Sequence, residues 1–71
     1  MDYKAFYAEI ADWVLQCNQM AVQHGMNSET FWKWVMDSSV AICGKYGNSE
    51  LVLKQMVTLY VWLEEVNVRS A

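Results

Sequence analysis

Apolar side chains recur along this chain at steps of three and four residues. In the first third they fall at Tyr3, Phe6, Tyr7, Ile10, Trp13, Val14, Cys17, Met20 and Ala21, reaching His24. That spacing predicts an amphipathic helix. A second run centres on Phe31, Val35, Ser38, Ser39, Ile42 and Tyr46, and a third on Val52, Met56, Leu59, Tyr60, Leu63 and Val66. The pattern predicts three helices, from Asp2 to His24, Ser28 to Cys43 and Ser49 to Val68, with no strand. Short connections between them imply antiparallel neighbours, so the expected fold is all-α: an up-down-up three-helix bundle in a single domain.

The breaks between the helices nearly repeat one another, as HGMNSETF (His24 to Phe31) and YGNSELV (Tyr46 to Val52). With no proline in the chain, glycine and capping residues must end the helices. Gly25 suits the residue just past the first helix, since it has no Cβ to clash in the left-handed region. Asn27 or Ser28 can then cap the second helix, with Glu29 facing the positive end of its dipole. With Asn27 as the cap, Met26 and Phe31 would form a hydrophobic staple. In the second copy, Gly44 or Gly47 ends a helix, Asn48 or Ser49 caps the next, and Glu50 faces the dipole. Punctuation therefore accounts for both copies. A phosphate loop would need a preceding strand and a nearby Lys or Arg, and neither copy has them.

The apolar arcs are wider than one buried face requires. Beside the main stripe the first helix carries Ala8, Ala11, Leu15 and Val22. On the second, Trp32, Met36 and Cys43 flank one side of the centre, with Trp34 and Ala41 on the other. Its polar strip is little more than Glu29, Thr30, Lys33 and Asp37, spaced for i, i+4 ion pairs. On the third, Val57, Val61 and Val68 form a second stripe, while Trp62 stands apart among Thr58, Glu65 and Arg69. A helix that is apolar nearly all round calls for enclosure, and contiguous apolar stripes mark contact surfaces. The expectation is that this small fold completes its core by oligomerisation, as a twofold homodimer. The candidate interaction surface comprises Leu15, Val22, Trp32, Met36, Val57, Val61, Trp62 and Val68.

Composition narrows the function. The chain has 71 residues, 55% of them hydrophobic, and a formal charge of −3. An acidic surface repels a phosphate backbone, so nucleic acid is not expected as a partner. A helix-turn-helix reading fails likewise, because the last helix is apolar and acidic where groove contacts need Arg, Asn or Gln. Uncharged stretches such as Ser38 to Gly44 fall far short of the ~20 apolar residues that span a bilayer, and the opening MDYKAFYAEIADW lacks the form of a secretory signal. A cytoplasmic location is expected, with Cys17 and Cys43 as free thiols.

Chemistry has little to build on. Cys17 and His24 share a helical face and could join Cys43 as three ligands, but a structural zinc site wants four, usually with close Cys pairs. Glu64 and Glu65 are adjacent and cannot face one another on a helix. Asp37, Ser38 and Ser39 have no histidine near them in sequence, so no triad forms. Neither an enzyme, a cofactor nor a metal is expected. The segment FWKWV (Phe31 to Val35) suggests a membrane-surface helix only until its mixed charges are counted, since such helices carry a basic polar face.

The segments NSETFWKWV and LVLKQMVTLYVWLEE resemble small uncharacterised helical proteins of Gram-positive bacteria and their prophages. The resemblance covers most of the chain and implies a cytoplasmic setting, with no activity, cofactor or site attached. Two functions stay open. One is a non-enzymatic protein-protein interaction module that homodimerises and can present a second stripe to another protein. The other is a small apolar ligand or lipid-surface binder, with Trp13, Trp32, Trp34 and Trp62 lining a pocket between helices.

Overall fold

The computed structural model describes residues 1–70. It is all-α: α1 (Tyr3–His24), α2 (Glu29–Lys45) and α3 (Glu50–Ser70) follow one another through two connections of four residues each. Successive helices run antiparallel in a body of 37 × 18 × 18 Å, so α2 descends between two ascending partners. It packs closely against both.

Each helix begins on a side chain that accepts a backbone N–H left over at the first turn. Asp2 Oδ1 accepts from Ala5 N at 3.0 Å, Ser28 Oγ from Phe31 N at 3.1 Å, and Ser49 Oγ from Val52 N at 3.4 Å. The caps of α2 and α3 are thus the serines, and neither Asn27 nor Asn48 acts as one. Ser28 holds the extended conformation a cap needs (φ −79°, ψ 146°). The staple expected between Met26 and Phe31 therefore loses its geometry. In its place Trp32 Nε1 donates to the Met26 carbonyl at 2.6 Å, pinning the entry of α2 through a hydrogen bond.

Helix α2 runs two residues beyond Cys43, and Gly44 lies inside it. Its end is a Schellman turn. Gly47, at φ 67°, donates to the Gly44 carbonyl at 3.1 Å, and Asn48 donates to the Cys43 carbonyl at 2.8 Å. Asn48 is itself left-handed, at φ 55°. Two successive residues in that region suit a Gly followed by an Asn, the types that enter it most readily.

A single core joins the three helices. Phe6, Ile10, Trp13 and Cys17 of α1, Phe31, Val35 and Ile42 of α2, and Val52, Met56 and Leu63 of α3 are buried together. These lie on the predicted stripes, while Tyr3, Tyr7 and His24 at the margin of the first stripe are exposed. The middle position of α2 explains much of its breadth. One flank meets α1, where Trp34 stacks on Trp13 (centroids 5.9 Å apart, planes at 12°). The other meets α3, where Trp32 sets its edge against Tyr60 at 5.6 Å.

Two adjacent serines on α2 have opposite surroundings. Ser38 Oγ accepts from Trp13 Nε1 at 2.8 Å and donates back to the Trp34 carbonyl at 2.7 Å, so a buried indole N–H is satisfied across the α1–α2 contact. Ser39 Oγ is buried without a hydrogen-bond partner. Ser38→Ala should cost about 1–3 kcal/mol because it orphans the Trp13 donor, whereas Ser39→Ala should be neutral or stabilising because it removes an unpaired hydroxyl. Chemical denaturation of the two variants checks the contrast. The caps give a second pair: Ser28→Ala should cost roughly 1 kcal/mol, while Asn27→Ala should change stability by less than about 0.5 kcal/mol, as for an ordinary surface site.

Candidate functional site

Four exposed apolar residues gather along the seam between α2 and α3. Met36 and Val40, one turn apart on α2, face Leu53 and Val57, one turn apart on α3; they are 51%, 63%, 42% and 62% exposed. Between them runs an apolar groove of about 370 Å³, floored by Ser39, Cys43 and Met56 and bounded by Tyr60 and Asn48 at its sides. Ser39 lines this floor while its unpaired hydroxyl stays buried beneath the surface. Past Tyr60 the band continues over Trp32, Glu64 and Val68. A neighbouring hollow between Val61 and Val68 carries Glu64, Glu65 and Arg69 on its walls.

The groove exists because the two helices diverge in what they spend on the core. On α3, Met56 and Tyr60 turn toward α2, and Leu53 and Val57 sit outside them on the next row. On α2, Ser39 and Cys43 turn toward α3, and Met36 and Val40 sit outside. Small side chains at Ser39 and Cys43 leave the floor low, while the outer rows form two aliphatic walls.

Among the residues the sequence singles out, Met36 and Val57 come together on this groove, and Val61, Val68 and the half-buried Trp32 extend it. Leu15 and Val22 are exposed on α1 and do not border it. Trp62, at 38% exposure, lies about 120° round α3 from the middle of the valine row, at roughly 100° per residue. Val40 and Leu53 were not among the predicted residues. Their signal was present: each stands four positions from a predicted one, Val40 after Met36 and Leu53 before Val57.

The four tryptophans do not share a cavity. Trp13 is buried against Trp34 and borders a shallow groove between α1 and α2. Trp32 packs against Phe31 and Tyr60, and Trp62 stands on the surface. Tyr60 is the aromatic side chain that lines the α2–α3 groove.

Among the described residues no carboxylate or ammonium group lines the groove; its titratable side chains are Cys43 and Tyr60. Cys17 is enclosed in the core, and burial pushes its thiol up to about 12. It and Cys43 are unpaired thiols. Among the described residues no three His, Cys, Asp or Glu side chains assemble into a metal-binding group, and no helix is long and apolar enough to cross a membrane.

At the opposite seam Glu9 Oε1 of α1 receives the Tyr46 hydroxyl at 2.8 Å and the Lys45 ammonium at 3.1 Å. These two donors, Tyr46 first, hold the Glu9 carboxyl below its usual value of 4.5. The same bond raises the Tyr46 phenol, since the proton it donates is harder to lose. The carboxylate is thus better stabilised folded than unfolded. Its contribution is complete above pH 4.5 and drains away as pH falls through the lower folded value. Glu9→Gln should therefore lose less thermal stability than the parent between about pH 6 and pH 3. Melting curves at constant ionic strength measure the difference.

No protein-family model, curated protein or solved structure matches this chain.

Proposed function

We propose that the protein is a non-enzymatic helical interaction module that forms a homodimer through the α2–α3 face. The observation that carries this reading is the continuous aliphatic band of Met36, Val40, Leu53, Val57, Val61 and Val68, exposed on one side of a fold whose core is otherwise closed. Contiguous apolar surface of this kind is characteristic of contact sites. A standard interface takes about 800 Å² from each partner. Against a total surface of 4767 Å² that is about a sixth, well within one inter-helix face of a three-helix body.

The shape of the groove favours a protein surface over a small ligand. Pockets for small molecules enclose most of their occupant and place a few polar groups to orient it. Here the walls are more than two-fifths exposed, and the polar lining is limited to Ser39 and Asn48 beside the Tyr60 ring. A helix surface fills such a trough by setting its ridge into it. The unpaired thiols support the reducing cytoplasm as the module's setting.

Sedimentation at tens of micromolar should give about twice the chain mass of 8.3 kDa, the smallest closed assembly. Val57→Glu should weaken association by about 2 kcal/mol or more, as for a central contact, with the melting temperature of the subunit little changed. Trp62→Ala, on another face, should leave association unaltered. A monomer mass throughout this range, or loss of the dimer in Trp62→Ala with Val57→Glu unaffected, overturns the assignment.

A further inference from the structure

Resting on that dimer, the charges around the valine row fix how the two copies meet: we infer that α3 pairs with its own symmetry mate in antiparallel orientation, with Val57 opposite Val61 and Lys54 opposite Glu64 of the second copy. The occupant of the face is thus a second copy of this chain in one register.

The outward arc of α3 spans about 100° and holds Glu50, Lys54, Val57, Val61, Glu64 and Val68, with Leu53 at its edge, counting roughly 100° per residue. Their spacing alternates four and three, the spacing of a helix–helix seam. Glu50 and Lys54 are already joined at 2.8 Å. Toward the N-terminal end of the seam sits the cation Lys54, toward the C-terminal end the anion Glu64, and the valines Val57 and Val61 lie between.

Parallel pairing about a twofold axis would set each residue against itself. It would face Lys54 with Lys54, Glu64 with Glu64 and Glu50 with Glu50, three like-charge layers in one short seam. Antiparallel pairing removes all three. Among antiparallel registers, sliding by a heptad in one direction places Glu64 against Val61, and in the other places Glu50 against Val61 and Lys54 against Val57. Both set charge against the central valines, Val57 or Val61, without a partner, which costs free energy. The register centred between Val57 and Val61 sets valine on valine and cation on anion, and its one charge–valine contact, Glu50 opposite Val68, falls at the solvent-exposed ends of the seam. Twofold symmetry then makes each contact twice.

Charge reversal tests the register separately from the dimer. Lys54→Glu and Glu64→Lys each turn both symmetry-related attractions into repulsions, so each homodimer should weaken by about tenfold at low salt, the scale of two exposed ion pairs inverted. An equimolar mixture of the two variants should regain wild-type association. In the mixed dimer the carboxylate introduced by Lys54→Glu on one chain meets the ammonium introduced by Glu64→Lys on the other. At the symmetry-related site the unaltered Glu64 of the first chain meets the unaltered Lys54 of the second. Sedimentation equilibrium of each variant and of the mixture reads this out, and circular dichroism of each checks that the subunit remains folded. Restoration in the mixture establishes the antiparallel register. Single variants that dimerise like the parent overturn the register and leave the dimer standing. A parent chain that is monomeric throughout overturns both.

Discussion

Helix α2 must satisfy two neighbours at once. A helix of 17 residues lying between two others needs apolar side chains on two flanks as well as on its inner face, and the sequence provides them as Trp34 toward α1 and Trp32 toward α3. The indole contacts on both flanks keep a polar obligation when they pack. Trp13, on which Trp34 stacks, hands its N–H to Ser38, and Trp32 hands its own to the carbonyl of Met26. Aromatic area and hydrogen bonding are thereby met at the same contacts, which is the condition under which tryptophan can be buried. Everything at the α2–α3 surface follows from how much of α2 is left once these two contacts are made.

What is left over is uneven. On the α1 side the remaining positions are small or charged, and Lys45 and Tyr46 close that seam on Glu9. On the α3 side they are Met36 and Val40, and α3 answers with Leu53 and Val57. Apolar surface is therefore concentrated at one of the two seams. The contrast between a seam latched by a carboxylate and a seam lined with aliphatics gives the molecule a direction, although its overall charge is modest.

Periodicity carried the helices and the core, because Phe6, Ile10, Trp13, Cys17, Val52, Met56 and Leu63 repeat at the helical step and bury together. It could not choose between Asn27 and Ser28 as the cap. Both residue types accept the same N–H, and the choice is made by which of the two adopts the extended backbone. Nor could it tell which helix lies in the middle, so the width of α2 reads in sequence as unsatisfied surface when half of it is spent on α1. Val40 and Leu53 escaped for a related reason. Each stands one turn from a predicted residue on its own helix, but that the two rows face one another across a groove appears when the helices are placed side by side.

The two four-residue connections have a consequence for how the chain assembles. Closing either one brings α2 onto a neighbour close in sequence, and the entropy lost depends on the length closed, which is the same for both. Neither hairpin has to wait for the other. Helix α2 can thus be captured first from its N-terminal or its C-terminal side, and the third helix then docks on a surface already half built. Folds made of such local pairings reach their native state quickly, which shortens the time for which the aliphatic row on α3 is exposed together with an unformed core.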